Sequence, residues 1–249
     1  MRALVLSDIH GNVHALEAVL RAAPDVEQLW NLGDVVGYGG SPNEVVALLR
    51  ARATLNVRGN HDRVCCGLSS AAGFNPVAAE ASMWTHRTLT EDNLAWLRAL
   101  PQGPLRAGDG VLLAHGSPLH EDHYIISMRD AWAPLQRMDS DLTFFGHTHV
   151  QGGFSQQQQE WEEDRPVYAR AEGEASFGMP VPAGTRHLIN PGSVGQPRDN
   201  DPRASFAVFD DAQRTVTFRR VPYDVAAAQA AIRKAGLPER LAARLTGGR

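Results

Sequence analysis

Short apolar runs recur along the chain, and most of them stop at a glycine, an aspartate or a histidine. Arg2 to Ser7 is apolar without alternation and reads as a fully buried strand, and the spacing of Val13, Leu16, Val19 and Leu20 after it is helical. The rhythm repeats with a strand at Gln28 to Leu32, a helix at Asn43 to Arg52 and a strand at Thr54 to Val57. Asn75 to Leu100 is helical in pattern, with Thr90 placed to cap a helix over Glu91 to Ala99. Strands resume at Val111 to Ala114, Leu142 to Phe145 and His187 to Ile189, and Ser205 to Phe209 with Thr215 to Val221 predicts a hairpin. Asp224 to Ala235 and Pro238 to Leu245 close the chain as helices. Strands alternating with helices predict an α/β fold with a largely parallel sheet covered on both faces.

One segment breaks the rhythm. Ser155 to Arg165 (SQQQQEWEEDR) is polar and acidic, and the chain on to Gly184 is rich in Gly, Pro and Ala. We expect an insertion over 155–184, as a mobile surface loop or a protruding hairpin, with a flap that shapes substrate access as the sharper alternative.

With 249 residues, 43% hydrophobic, the chain can bury a full core, and a single domain over 1–249 is expected. It has no apolar run of about 18 residues, and Met1 to Ser7 is too brief for a signal peptide, so a cytoplasmic protein without a membrane partner is expected. The net charge of −4, with acids and bases mixed, argues against a nucleic-acid partner. Cys65 and Cys66 are adjacent, too close for an ordinary disulfide, and are expected to be reduced thiols packed as small hydrophobes.

Chemistry gathers at the strand ends. Five clusters place metal-ligand side chains just past an apolar run: Asp8-Ile9-His10, Gly33-Asp34, Gly59-Asn60-His61-Asp62, His115-Gly116 and Gly146-His147-Thr148-His149. Asp8 and His10 are two apart, as are His147 and His149, and an extended backbone would point each pair to one side. Any one cluster is explained by a satisfied polar group at a strand end. Five together imply a cation, because buried acids and imidazoles converging on one sheet edge are costly unpaired. Imidazoles mixed with carboxylate and amide oxygens suit manganese, iron, zinc, cobalt or nickel, without choosing among them.

The ordered series D-x-H, G-D, G-N-H-D, H-G and G-H-T-H, from Asp8 to His149, resembles the calcineurin-like metallophosphoesterase superfamily. Asn190 to Arg198 (NPGSVGQPR) and the ending Arg219 to Leu245 are similar to its small bacterial and archaeal members. The resemblance implies a four-layer sandwich of two mixed β-sheets flanked by helices. It also implies two divalent transition-metal ions, the first held by Asp8, His10 and His149, the second by Asn60, His115 and His147, with Asp34 bridging. His61 would be the catalytic histidine, donating a proton to the leaving oxygen or stabilising the transition state, and Asp62 would orient its ring or serve as a helix N-terminal carboxylate.

The activity implied is hydrolysis of a phosphodiester, or a phosphomonoester, of a small molecule by a metal-activated hydroxide. A dinucleoside polyphosphate hydrolase or a protein phosphatase would use the same site. A non-catalytic scaffold of the same fold is the other class, and retention of His61 argues against it. Asn12 is placed either to contact a phosphate or to cap the first helix, and Arg198 either to bind phosphate or to lie on the surface. His120, His123 and Tyr124, just after His115-Gly116, are further pocket candidates, although solvated loop positions suit them as well. A homodimer is the base-rate expectation for assembly.

Overall fold

The computed structural model describes residues 1–169 and 172–249. The elements run β1 (Arg2–Leu6), α1 (Val13–Ala22), β2 (Gln28–Asn31), α2 (Pro42–Arg52), β3 (Leu55–Asn56), α3 (Asn60–Cys65), α4 (Pro76–Thr88) and α5 (Glu91–Arg98). Then come β4 (Leu105–Gly108), β5 (Val111–Leu113), α6 (Met128–Arg137), β6 (Leu142–Phe144), β7 (Gly152–Gln157), β8 (Glu160–Asp164), β9 (Ala175–Pro180) and β10 (Arg186–Asn190). The chain ends with β11 (Ala204–Asp210), β12 (Thr215–Val221), α7 (Val225–Lys234) and α8 (Glu239–Gly247).

Two six-stranded sheets result, ordered β3-β2-β1-β11-β12-β9 and β4-β5-β6-β10-β7-β8. Both are mixed: β1 is parallel to β2 and antiparallel to β11, while β10 is parallel to β6 and antiparallel to β7. The alternation of side chains along β1 explains the layering. Ala3 and Val5 join Trp30, Phe144, Phe209 and Phe218 in a core between the sheets, whereas Leu4 and Leu6 face the opposite way, against Leu16, Val19 and Val45 of α1 and α2. On the far side, α6 lays Ala131 and Leu135 against Phe145, Phe154 and Leu188. Each of the fully buried Val, Leu and Phe side chains among these contributes about 1.5–3 kcal/mol. The order is helix, sheet, sheet, helix, the four layers that the resemblance implied.

Within the segment 155–184, the end of β7 pairs with β8 as a hairpin, one of the forms expected there. The segment's described residues supply the end of β7, all of β8 and β9, so they form edge strands of both sheets rather than a free loop. Positions 170 and 171 lie outside the described residues. The glutamine and glutamate run masked the strands because β8 is an edge strand with its side chains largely in solvent. Among the described residues, none of this segment lines the cleft beside the histidine cluster. The predicted stretch from Asn75 to Leu100 is two helices, with Thr90 capping the second by accepting from the Asn93 N–H. The short α3, α6 and β4 had no strong periodic signal. Among the described residues, no helix is long and apolar enough to cross a membrane.

Candidate metal centre

The seven predicted ligands arise from five loops at the carboxyl ends of β1, β2, β3, β5 and β6, and they meet at one edge of the paired sheets. Asp8, His10, Asp34 and His149 form one buried group whose ligand atoms all lie within 4.8 Å of one another, and Asp34, His115 and His147 form a second. Asn60 joins the second group, its Oδ1 lying 3.1 Å from His115 Nε2. Asp34 belongs to both.

The backbone delivers these side chains in an unexpected way. Asp8 (φ 53°), His10 (φ 49°), Asp34 (φ 54°), His147 (φ 67°) and His149 (φ 60°) all adopt left-handed conformations. The extended geometry expected for Asp8-Ile9-His10 and His147-Thr148-His149 is therefore wrong: β1 and β6 end first, and each pair is aimed by two left-handed residues instead. Such conformations cost on the order of 1 kcal/mol or more apiece in a non-glycine residue, so the surrounding hydrogen bonds must hold them.

The donor set fits cations. His10 Nδ1 lies 3.2 Å from the Val36 carbonyl and His149 Nδ1 lies 2.6 Å from that of Gln196. A carbonyl only accepts, so in each neutral ring Nδ1 carries the hydrogen and Nε2 presents a lone pair. Those two Nε2 atoms are 3.1 Å apart, lone pair to lone pair. Asp8 Oδ1, 3.3 Å from His149 Nε2, is buried without a hydrogen-bond partner, as is His147 Nε2. On the other side, His115 Nε2 faces His147 Nδ1 at 3.1 Å. Asp34 Oδ2 stands between the groups, 3.6 Å from His10 Nε2 and 3.4 Å from His115 Nε2. The His10 and His149 lone pairs, turned towards one another with no hydrogen between them, are stabilised by a cation and by little else.

Burial sets the charge states of the cluster except at Asp34 and His115. Burial, reinforced by neighbouring cations, holds His10 and His149 well below the usual imidazole range, and burial brings His147 down to about 3. Burial also raises Asp8 to about 6. Burial alone would raise Asp34, but the His115 and His61 imidazoles keep it well below the carboxylate range. His115 goes up to about 10: burial opposes its charge, and Asp34, hydrogen-bonded to it, outweighs that with help from Asp8 and Asp62.

His61 begins α3 beside the cluster, 5% exposed, its ring packed on Tyr38 (4.4 Å) and Phe74 (4.5 Å) and edge-on to His10 (4.9 Å). Burial lowers it to about 4, so it is neutral at pH 7, and its Nδ1 has no hydrogen-bond partner among the described residues. Gly37 leaves the room: at φ 90° it adopts a conformation that favours glycine, and a Cβ there would meet His61 Nδ1 at 2.6 Å.

Asp62 does not orient that ring. Its two oxygens accept from the Val36 N–H (3.1 Å) and the Gly59 N–H (3.0 Å), which leaves it as the carboxylate at the start of α3. Asn12 likewise caps α1, accepting from the Ala15 N–H and donating to the Gly195 carbonyl, so its amide is already used at both ends. Arg198 is half-buried above Tyr38, with its guanidinium 5.9 Å from the ring centroid. Tyr124 stacks on His147 at 3.9 Å, whereas His120 and His123 stack on each other in solvent. The acids between them have a structural role, since Glu121 pairs with Arg58 and Arg63 and Asp122 with Arg63, fixing the Tyr124 loop to α3.

Sequence reasoning did not find the part played by Asn190 to Arg198. Asn190 donates to the Gly146 carbonyl (2.9 Å), Ser193 Oγ to the Asp8 carbonyl (2.7 Å), and the Gly195 N–H to that same carbonyl (3.0 Å). This loop clamps the two strained ligand turns together, and through Gln196 it sets the His149 tautomer. Tyr38, which touches both His10 and His61, was also missed, for an isolated tyrosine after a glycine carries no sequence signal.

Gly59 shows how tightly the bridge is packed, since a Cβ there would stand 2.1 Å from Asp34 Oδ1 and 2.3 Å from the Asp34 nitrogen. Gly59→Ala is therefore expected to displace Asp34, weakening manganese binding by about tenfold or more and lowering unfolding free energy by about 1–3 kcal/mol. Calorimetric titration and denaturant unfolding measure both, and parental values for the variant would contradict this packing.

Residues 1–214 match the calcineurin-like phosphoesterase superfamily domain. The chain is similar to the crystal structure of a metallophosphoesterase from Sphaerobacter thermophilus, with 42% identity, a TM-score of 0.86 and coverage of 100% of this chain and 99% of that one. It is 35% identical to an uncharacterized protein of Methanocaldococcus jannaschii over 98% of this chain and 97% of the relative. A shorter likeness, 28% over 120 residues, covers 46% of this chain and 44% of a symmetrical bis(5'-nucleosyl)-tetraphosphatase of Erwinia tasmaniensis.

Proposed function

Because the chain belongs to the calcineurin-like phosphoesterase superfamily, we propose that it hydrolyses a phosphodiester of a small molecule, using two divalent transition-metal ions held by its aspartate and histidine cluster. Asp8, His10 and His149 would hold one cation, Asn60, His115 and His147 the other, and Asp34 would be shared. When bound, the pair supplies Lewis acidity that neutralises phosphoryl charge and makes a water nucleophile available at neutral pH.

The protein's own groups do the rest. Asp34 turns Oδ2 towards His10 and His115 while its Oδ1 accepts from the His61 N–H at 2.8 Å, so the shared carboxylate and His61 are positioned together. A neutral His61 donates a hydrogen bond to a phosphoryl oxygen as charge builds, which favours transition-state stabilisation over delivery of a proton from an imidazolium. Tyr38 and Phe74 fix the plane of that ring and keep water off it.

The observation that carries the proposal is the facing of the buried His10 and His149 Nε2 lone pairs, with Asp8 Oδ1 and His147 Nε2 unpartnered. Protein loaded with manganese is expected to hydrolyse a chromogenic bis-aryl phosphate and to lose that activity on chelation. Metal binding without turnover of any ester would favour the scaffold alternative. A second reading, hydrolysis of a dinucleoside polyphosphate, draws support from a basic cleft next to the cluster and from the name of the tetraphosphatase relative.

A further inference from the structure

A cleft of about 550 Å³ adjoins the histidine cluster, and its walls include Tyr38, Tyr124, Arg198, Arg240, Arg244 and Asn75. The two tyrosines are shared walls. Tyr38 packs on His10 and His61 from one side and lies beneath Arg198 on the other, and Tyr124 covers His147. Anything bound in the cleft is thus one aromatic ring away from the metal ligands.

Three guanidinium groups line this cleft, and among the described residues none forms an ion pair with an Asp or Glu side chain. The acids of the flanking segments are already taken: Asp199 pairs with Arg220, Asp201 with Arg203 and Glu239 with Arg233. Arg198 donates to the Gln196 side chain, and its buried Nε has no partner; Arg244 Nε donates to the Arg249 main-chain oxygen. Arg240 and Arg244 sit four apart on α8, a like-charge spacing that weakens a helix. Burial, with the charge of Arg198 nearby, brings Arg244 down to about 10. Guanidinium groups that lack an acidic side-chain partner and gather in a concave wall are stabilised by an oxyanion, and their planar forks suit phosphate.

We propose that Arg198, Arg240 and Arg244 bind a second phosphate group of the substrate, so that the molecule cleaved at the metal centre carries a phosphoanhydride chain or another phosphate beside the scissile one. The inference rests on the phosphoesterase reading for its link to turnover, although the anion site itself does not.

Calorimetry with inorganic tripolyphosphate tests the site directly. The full chain is first treated with chelator, so that the probe has no cation to strip. The parent is expected to bind tripolyphosphate more tightly than orthophosphate, and Arg240→Gln with Arg244→Gln should weaken tripolyphosphate binding about tenfold or more. Arg233→Gln, whose charge lies outside the cleft, should leave it unchanged. Equal affinity of the parent for the two anions, no change in the double variant, or the same loss in Arg233→Gln would each overturn the proposal. Circular dichroism of each variant separates a folding defect from a lost site, and single substitutions replace the double variant if it fails to fold. Turnover of the bis-aryl phosphate by the manganese-loaded parent is measured in parallel. Its failure would sink the phosphoesterase reading and leave the arginine site standing, whereas the reverse pattern would remove the arginine site alone.

Discussion

His61→Ala is expected to lower turnover of a bis-aryl phosphate by about 100-fold or more while the protein still binds two cations. The expectation follows from position: His61 touches His10 ring to edge but lies outside both ligand groups, so its loss removes a hydrogen bond to the reacting phosphate and leaves the donors in place. Because burial keeps the ring neutral at pH 7, the charge of an imidazolium is not what is lost. His61→Gln, which restores an N–H donor on an uncharged side chain, should then recover part of the rate. Steady-state kinetics paired with metal analysis on the same samples decides the matter. Parental turnover by the alanine variant would remove His61 from the chemistry, and loss of the metals would make it a structural residue.

Asp34→Asn should behave in the opposite sense, weakening metal occupancy by about 100-fold or more and abolishing turnover as a result. The amide is nearly the same shape as the carboxylate and keeps an oxygen to accept from the His61 N–H, so the start of α3 should remain in place. What disappears is the negative charge at the point shared by both groups, together with a lone pair from Oδ2 that faces His10 on one side and His115 on the other. Removing that charge also leaves His115 without the neighbour that most favours its protonated form. Metal analysis after dialysis is the measurement, and two fully retained cations in the variant would rule out a bridging role for Asp34.

The ligand set could be read in the sequence because each member follows an apolar run that must end at a sheet edge. The chain order of five such endings leaves few ways for them to be unrelated. The β1, β2, β5, β6 and β10 strands were legible for the same reason, being buried and β-branched or aromatic. The edge strand β8 was not: it exposes its glutamates to solvent and so lacks the apolar alternation that marks a half-buried strand. Asp62 and Asn12 were ambiguous because a carboxylate or amide at the head of a helix looks the same in sequence whether it serves the backbone or a ligand, and only the partners of its oxygens tell the two apart. The arginine cleft was invisible for another reason. Arg198 and the pair on α8 are separated by more than forty residues, and nothing in their local patterns joins them.

Five of the seven predicted ligands adopt positive φ angles, at a combined expense on the order of 5 kcal/mol, comparable to the net stability of a whole domain. The architecture therefore sets heat resistance against catalysis at these positions. A laboratory selection that rewarded survival at high temperature and ignored turnover would find its easiest gains at Asp8, Asp34 or His147, where glycine relaxes the turn and dismantles the enzyme in one step.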